Sequence, residues 1–348
     1  NVAADRPDFY FLMGDDFSTE RLIERGNKNQ DAVNAIYAHQ RGFLGVVGRS
    51  TPIMLVNGNH EQAAKYLLDG TADNFAVLAG RARTAFYPLP APGGIYSGNT
   101  QPVEHIGLLR DYYAWEWGDA LFVVIDPYWH SDIAVDNEAG KKAPQRDAGR
   151  GGNGGAAPPD EDKRDAKRRG RNGGAGDNQA EQPGNRQGKG SRDLWQITLG
   201  DEQYAWLHTT LTQSKAKFKF VFSHHVSGTG RGGVEVAPYY EWGGQDRRGG
   251  GGGGGDAGGR NRGGGENATP GDEPPARGLA RFFQARPTWE KPIHDLMRDT
   301  GVTIFFQGHD HLYARQELDG VIYQSCPNPA DPTFTAFNRE AYKSGDIF

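Results

Sequence analysis

Four apolar runs in this chain end in the same kind of loop, and that recurrence constrains the fold more than any other feature. Residues 9–13 run into Gly14-Asp15-Asp16, and residues 52–56 run into Asn57-Gly58-Asn59-His60-Glu61. Residues 218–222 meet Ser223-His224-His225, and residues 302–306 lead through Gln307-Gly308 to His309-Asp310-His311. Short, unbroken apolar runs of this length suit strands buried on both faces. Between them lie stretches with helical spacing. One covers roughly 19–47 with a break at Gly26-Asn27, and one covers 201–211 with Tyr204, Leu207, His208 and Leu211 along one face. A third, around Ile293, Leu296 and Met297, is closed by Gly301. Strands alternating with helices point to an α/β sandwich.

Residues 112–117 and 120–125 alternate about Gly118-Asp119 as a hairpin, 320–325 gives a further strand, and 62–68 reads as helical. Residues 70–110, rich in Pro, Gly and aromatics, read as irregular. Two stretches hold almost no apolar side chains: 140–191, and 243–276 with its unbroken Gly run from 249 to 255. Such segments cannot bury enough surface to offset the entropy of ordering, so both are expected to be disordered insertions. Strand-plus-ligand loops continue on either side of each. They are therefore read as loops grown out of one domain spanning 1–348, which closure entropy tolerates. They also explain why 51 glycines and a hydrophobic content of only 36% coexist with a buried core.

The four loops supply Asp15, Asn59, His224, His309 and His311, a mixed oxygen and nitrogen set without thiolate. Such a set suits Zn, Mn, Fe or Ni better than Ca or Mg, which favour oxygen cages. A carboxylate can bridge two cations while imidazoles and an amide oxygen complete their shells. Two cations ~3.5–4 Å apart would clamp a phosphoryl oxygen and acidify a bridging water for in-line attack on phosphorus. His60, beside Asn59, is placed to stabilise the transition state or protonate the leaving group. Adjacent residues on an extended chain point opposite ways, so one of His224 and His225 is expected to ligate, with His224 preferred. His225, and Arg231 in the Gly-rich loop 227–233, are candidates for substrate contact.

Gly14-Asp15, Gly58-Asn59-His60-Glu61, Ser223-His224 and Gly308-His309-Asp310-His311, in this order and each after a strand, resemble the calcineurin-like metallophosphoesterase superfamily. The resemblance covers most of the chain outside the insertions. It implies two mixed β-sheets packed face to face and flanked by helices. It implies that Asp15 bridges both metals, that Asn59, His224 and His309 bind the second, and that His311 binds the first. It also implies that His60 is the catalytic histidine, tuned by Glu61 or another carboxylate nearby. The family's Asp-x-His motif on the first strand does not precede residue 9, and the expectation is a chain lacking its native N-terminus and perhaps cut at the C-terminus. The purple acid phosphatase branch places a Tyr ligand where this chain has Ser18, so a tyrosinate–iron(III) centre is not expected.

His39, His105, His130, His208 and His294 read as ordinary surface or core residues, Asp126–His130 as packing at the edge of the site, and Cys326 as a small buried residue. Asp310 reads as an outer partner that orients a histidine. One cysteine rules out an intrachain disulfide and leaves the compartment open, with export preferred to the cytoplasm. No apolar run approaches the ~20 residues of a membrane span. The leading expectation is an enzyme acting on a phosphate-ester substrate with two transition-metal ions. The second is a site-degraded relative that holds nucleic acid or another polyanion through the charged insertion at 140–191; across 141–193, 13 Lys and Arg face 8 Asp and Glu.

Overall fold

The computed structural model describes residues 2–16, 19, 22, 25–61, 68–131, 194–228, 234–242, 275–328, 339, 342 and 344–347. The chain divides into a main unit, Asn1–Lys141 with Asp193–Phe348, and a second, Lys142–Arg192, which lies outside the described residues. Outside them too are residues 62–67 of the helix expected at 62–68, whose last residue, Leu68, is not helical, the charged insertion at 140–191, nearly all of the Gly-rich insertion at 243–276, Ser18 and Arg231.

The strand-ending loops sit on two sheets. The first two apolar runs form β1 (Tyr10–Leu12) and β2 (Ile53–Leu55), paired in parallel with Phe11 opposite Met54. The hairpin becomes β6 (Tyr113–Trp117) and β7 (Ala120–Val124), turning on Gly118 at φ 61°. β7 continues in parallel through β8 (Phe218–Ser223), β9 (Ile304–Gln307) and β11 (Val321–Ser325). With β3 (Ser97–Gly98) on one side, and β10 (Ala314–Leu318) and β12 (Asp346–Ile347) on the other, this is an eight-stranded mixed sheet. β4 (Pro102–Val103) and β5 (Gly107–Leu108) form a separate small pair.

Strand periodicity assigns the layers. Phe9, Phe11, Met13, Met54 and Val56 turn one way and pack on Trp115, Phe122, Val124 and Phe222 of the large sheet. Phe11 and Phe222 stack with ring centres 3.8 Å apart. Leu12, Ile53 and Leu55 turn the other way, onto α1 (Gln30–Gly48) and α2 (Phe75–Phe86). The far face of the large sheet, with Val123, Val221, Phe305 and Tyr323, is covered by α3 (Gly200–Gln213), α4 (Pro275–Ala285) and α5 (Ile293–Asp299). The result is the expected four-layer α/β sandwich. Among the described residues its smaller sheet is a parallel pair.

Two local readings are corrected, and one further strand carried no reading. The span 70–110 is not irregular throughout: it contains α2, where Asn74 accepts from the Ala76 N–H and good helix formers (Ala76, Leu78, Ala79, Ala82) follow. Gly80 within it is a packing glycine, since a Cβ there would lie 2.8 Å from Ile106 and 3.0 Å from Trp129. β10 was hidden by its polar residues Arg315, Gln316 and Glu317. The Asp319-Gly320 turn, with both residues at positive φ, is the signal that could have found it. Pro275 and Ala276, assigned to the Gly-rich insertion, begin α4, with Pro where its missing N–H costs nothing.

A buried clasp holds the segments around the second stretch. Glu241 accepts from the Thr198 hydroxyl at 2.8 Å, from the Leu199 N–H and from Arg286 Nε at 2.7 Å. Arg286 also donates to the Trp195 carbonyl at 2.5 Å and lies over the rings of Trp195 and Trp289.

Candidate metal centre

The parallel strands β1 and β2 of one sheet, and β7, β8 and β9 of the other, end on one side of the sandwich, and the polar loops follow directly. Ligands in open α/β sheets bind in the crevice outside the carboxyl ends of strands. Ligand atoms of Asp15, His224 and His309 lie within 4.8 Å of one another, the one such group of three among the described residues. Asp15 Oδ2 is 3.0 Å from His224 Nε2. His309 Nδ1 is 3.4 Å from His224 Nε2 and 3.1 Å from Asn59 Oδ1. His224 and His309 are buried, and Asn59 is fully so.

Close backbone approach makes this possible. A Cβ on Gly14, which sits at φ 89°, would lie 2.7 Å from the Gly58 nitrogen and 2.9 Å from His224 Nδ1. A Cβ on Gly58 would lie 2.5 Å from the Asp15 nitrogen and from Glu61 Oε2. Asp15 (φ 60°), His309 (φ 66°) and His311 (φ 57°) are left-handed, at roughly 1–2 kcal/mol each for L-residues. Strain of this kind gathers at functional sites when the surroundings over-determine it.

The surroundings do so with specific bonds. Glu61 Oε2 accepts from the N–H of Asp15 and of Gly58, both at 2.9 Å, and Oε1 accepts from the Asp16 N–H at 2.6 Å. One buried carboxylate thus ties the β1 and β2 loops together. Asp15 Oδ2 lies 3.9 Å from His60 Nε2, a carboxylate oxygen beside that ring. Asp15 Oδ1 accepts from the His60 N–H at 3.0 Å. His224 Nδ1 donates to the Met13 carbonyl at 2.6 Å, which turns Nε2 toward Asp15, the arrangement that outer partners impose on ligating imidazoles.

Electrostatics follow from three carboxylates gathered beside two imidazoles. Burial pushes Asp15 up, but the charge and hydrogen bond of His224, with His60, bring it down to about 2. Glu61 is pushed up to about 7, by burial first and then by Asp15 and Asp16, with Arg83 opposing. Burial lowers His224, yet Asp15 outweighs it and the net shift is upward.

His60 keeps part of its ring exposed. His311 is half-buried and stands outside the group of three. His225 does not point outward as a substrate contact should. It is fully buried against Trp242 and 4.7 Å, ring to ring, from His309, with Tyr128 Oη 3.4 Å from its Nδ1. His130 is more than a packing residue, since its Nε2 lies 2.7 Å from the buried carboxylate of Asp111.

Asp126, at the end of β7, does more than pack. It is fully buried, accepting from Asn57 Nδ2 at 3.0 Å and from the Tyr128 N–H at 2.7 Å. Burial, then the charge of Asp111, pushes it up to about 7, against the pull of His130, the Tyr128 N–H and Asn57. A carboxyl whose folded value is raised favours the fold while protonated. Its contribution is intact below about pH 4 and is lost as pH rises toward 7. Asp126→Asn keeps the neutral form. It is expected to gain roughly 2–4 kcal/mol over the parent at pH 8, shrinking toward pH 5. Urea melts of the metal-free proteins at both pH values measure this, and an equal difference at both would contradict it.

The donor set fits a transition-metal cation. It offers a carboxylate, two buried imidazoles and an amide oxygen converging on one point, with one imidazole already oriented. No family model matches the chain, and no curated protein matches it. Among solved structures it is similar to one described as the structure of PhoD, at 14% identity and a TM-score of 0.49, covering 94% of this chain and 52% of that one. It is also similar to purple acid phosphatase PPD1 from yellow lupin (Lupinus luteus) seeds, at 14% identity and a TM-score of 0.39, covering 96% of this chain and 40% of that one. The chain therefore spans about half the length of the first and two fifths of the second.

Proposed function

We propose that this chain is a metal-dependent phosphoesterase that hydrolyses a phosphomonoester or phosphodiester. The observation that carries the reading is the convergence of Asp15, His224 and His309, with Asn59 against His309, at the strand ends of two packed sheets. Asp15, Asn59, His224 and His309 would hold one Mn, Zn or Fe ion, and Asp15 with His311 would contribute to a second. Cations there supply Lewis-acid chemistry, screening phosphoryl charge and acidifying water. Asp15 keeps its carboxylate ionised and aimed by the His60 N–H. His224 presents Nε2 because Met13 holds Nδ1. His60, partly exposed beside Asp15, is the proposed group that donates a proton to the departing oxygen or stabilises the charge on it.

The full chain is to be assayed with an aryl phosphate and an aryl phosphodiester, with and without Mn(II) or Zn(II). Metal-dependent turnover of at least one, reduced by His60→Ala and by His311→Ala, is expected. Turnover of neither substrate under any metal condition would sink the reading.

A further inference from the structure

A second set of buried bonds lies behind the histidine loop. Gln307 Nε2 donates to Ser325 Oγ at 3.0 Å. Ser325 Oγ is 3.1 Å from Tyr342 Oη, and Tyr342 Oη donates to Asp310 Oδ2 at 2.8 Å. Since the tyrosine proton goes to Asp310, the serine proton goes to the tyrosine. All three donors therefore run one way and end on the carboxylate between His309 and His311. Such chains strengthen cooperatively in a low-dielectric interior. All four residues are buried. The other end of Gln307 is committed too, because its Oε1 accepts from the Ser227 N–H at 3.1 Å, three residues past His224. The loop backbones are also joined directly, Gly308 N–H donating to the His224 carbonyl at 2.9 Å.

The arrangement has work to do. His309 and His311 both sit at left-handed φ, and Asp310 is the residue between them. A carboxylate fixed from behind holds the peptide planes on either side, and with them the direction of the His309 ring toward Asn59 and His224.

We propose that Tyr342 is a positioning residue for the His309–Asp310–His311 loop, acting through Asp310 to fix the His309 ring. Its consequence for metal affinity rests on the function proposed above; the placement of the ring does not. Tyr342 is far in sequence from every ligand and contributes no atom to the metal.

The test uses the full chain, metal-free and 15N-labelled at histidine, compared with Tyr342→Phe by long-range 1H–15N correlation. In the parent His309 should show one tautomer, protonated on Nδ1 where it faces Asn59 Oδ1. In Tyr342→Phe its ring signals should shift or average between forms. Ser325→Ala, which spares the Tyr342–Asp310 bond, should give a smaller change. It carries the comparison if Tyr342→Phe fails to fold. A second arm measures Mn(II) affinity by chelator competition, with a loss of about 10–100-fold expected in Tyr342→Phe. Unchanged His309 signals, or an affinity within twofold of a parent that binds Mn(II), overturn the proposal. A parent that binds no Mn(II) counts against the metal reading alone, and the His309 signals then decide the role of Tyr342.

Discussion

Replacing Asp15 with Asn is expected to weaken Mn(II) or Zn(II) binding by more than about 100-fold, beyond the usual loss of an outer-shell partner. Metal-dependent hydrolysis should fall with it. The substitution keeps the side chain's shape, and the amide oxygen can still accept from the His60 N–H. What it removes is the negative charge beside His224, and with it the anionic donor of the group of three. The metal-free variant should remain folded, because Glu61 still ties the β1 and β2 loops through three N–H groups and the amide oxygen still accepts from the His60 N–H. Calorimetric metal titration alongside circular dichroism measures both parts. Binding within tenfold of the parent would remove Asp15 from the site.

Replacing Glu241 with Ala is expected to cost about 3–5 kcal/mol, the range for removing one partner of a buried ion pair. Arg286, mostly buried, would keep its charge and lose its carboxylate, while the Thr198 hydroxyl and the Leu199 N–H would lose their acceptor. The two effects add, because unsatisfied buried donors carry their own desolvation penalty. The side-chain bonds of Glu241 go to Thr198, Leu199 and Arg286 and to none of the ligand residues, so the residual folded fraction should keep its metal affinity. Urea denaturation gives the first quantity and metal titration the second. A loss under about 1 kcal/mol would mean that Arg286 finds another partner.

Much of this fold was legible because its buried strands are continuous apolar runs. Phe218–Ser223 and Ile304–Gln307 are bounded by polar residues that cannot extend a core strand, so their ends, and hence His224 and His309, could be read from the chain. Asn59 was legible for the same reason at the end of β2. What escaped were partners fixed by tertiary contact. Nothing local to Glu61 signals its bonds to the backbone of a loop 45 and 46 residues away. Asp126 carried no signal for its bond to Asn57, nor Tyr342 for its bond to Asp310, since each joins residues with no periodic relation. Helix α2 was masked by the Pro and Gly around it, although Asn74 and the Ala-rich run marked it locally. His225 shows the limit of strand alternation. It sets apart His224, whose Nε2 lies 3.0 Å from Asp15 Oδ2, but the opposite direction leads here into the core against Trp242 and not to solvent.

The central claim, that Asp15, Asn59, His224 and His309 hold a transition-metal ion, is tested most directly by anomalous diffraction from crystals of the parent grown with Mn(II) or Zn(II). The account predicts a peak at about 2.0–2.2 Å from Asp15 Oδ2, His224 Nε2 and a His309 ring nitrogen. No peak among these residues at saturating metal, or a peak elsewhere in a protein that hydrolyses phosphate esters, would contradict it.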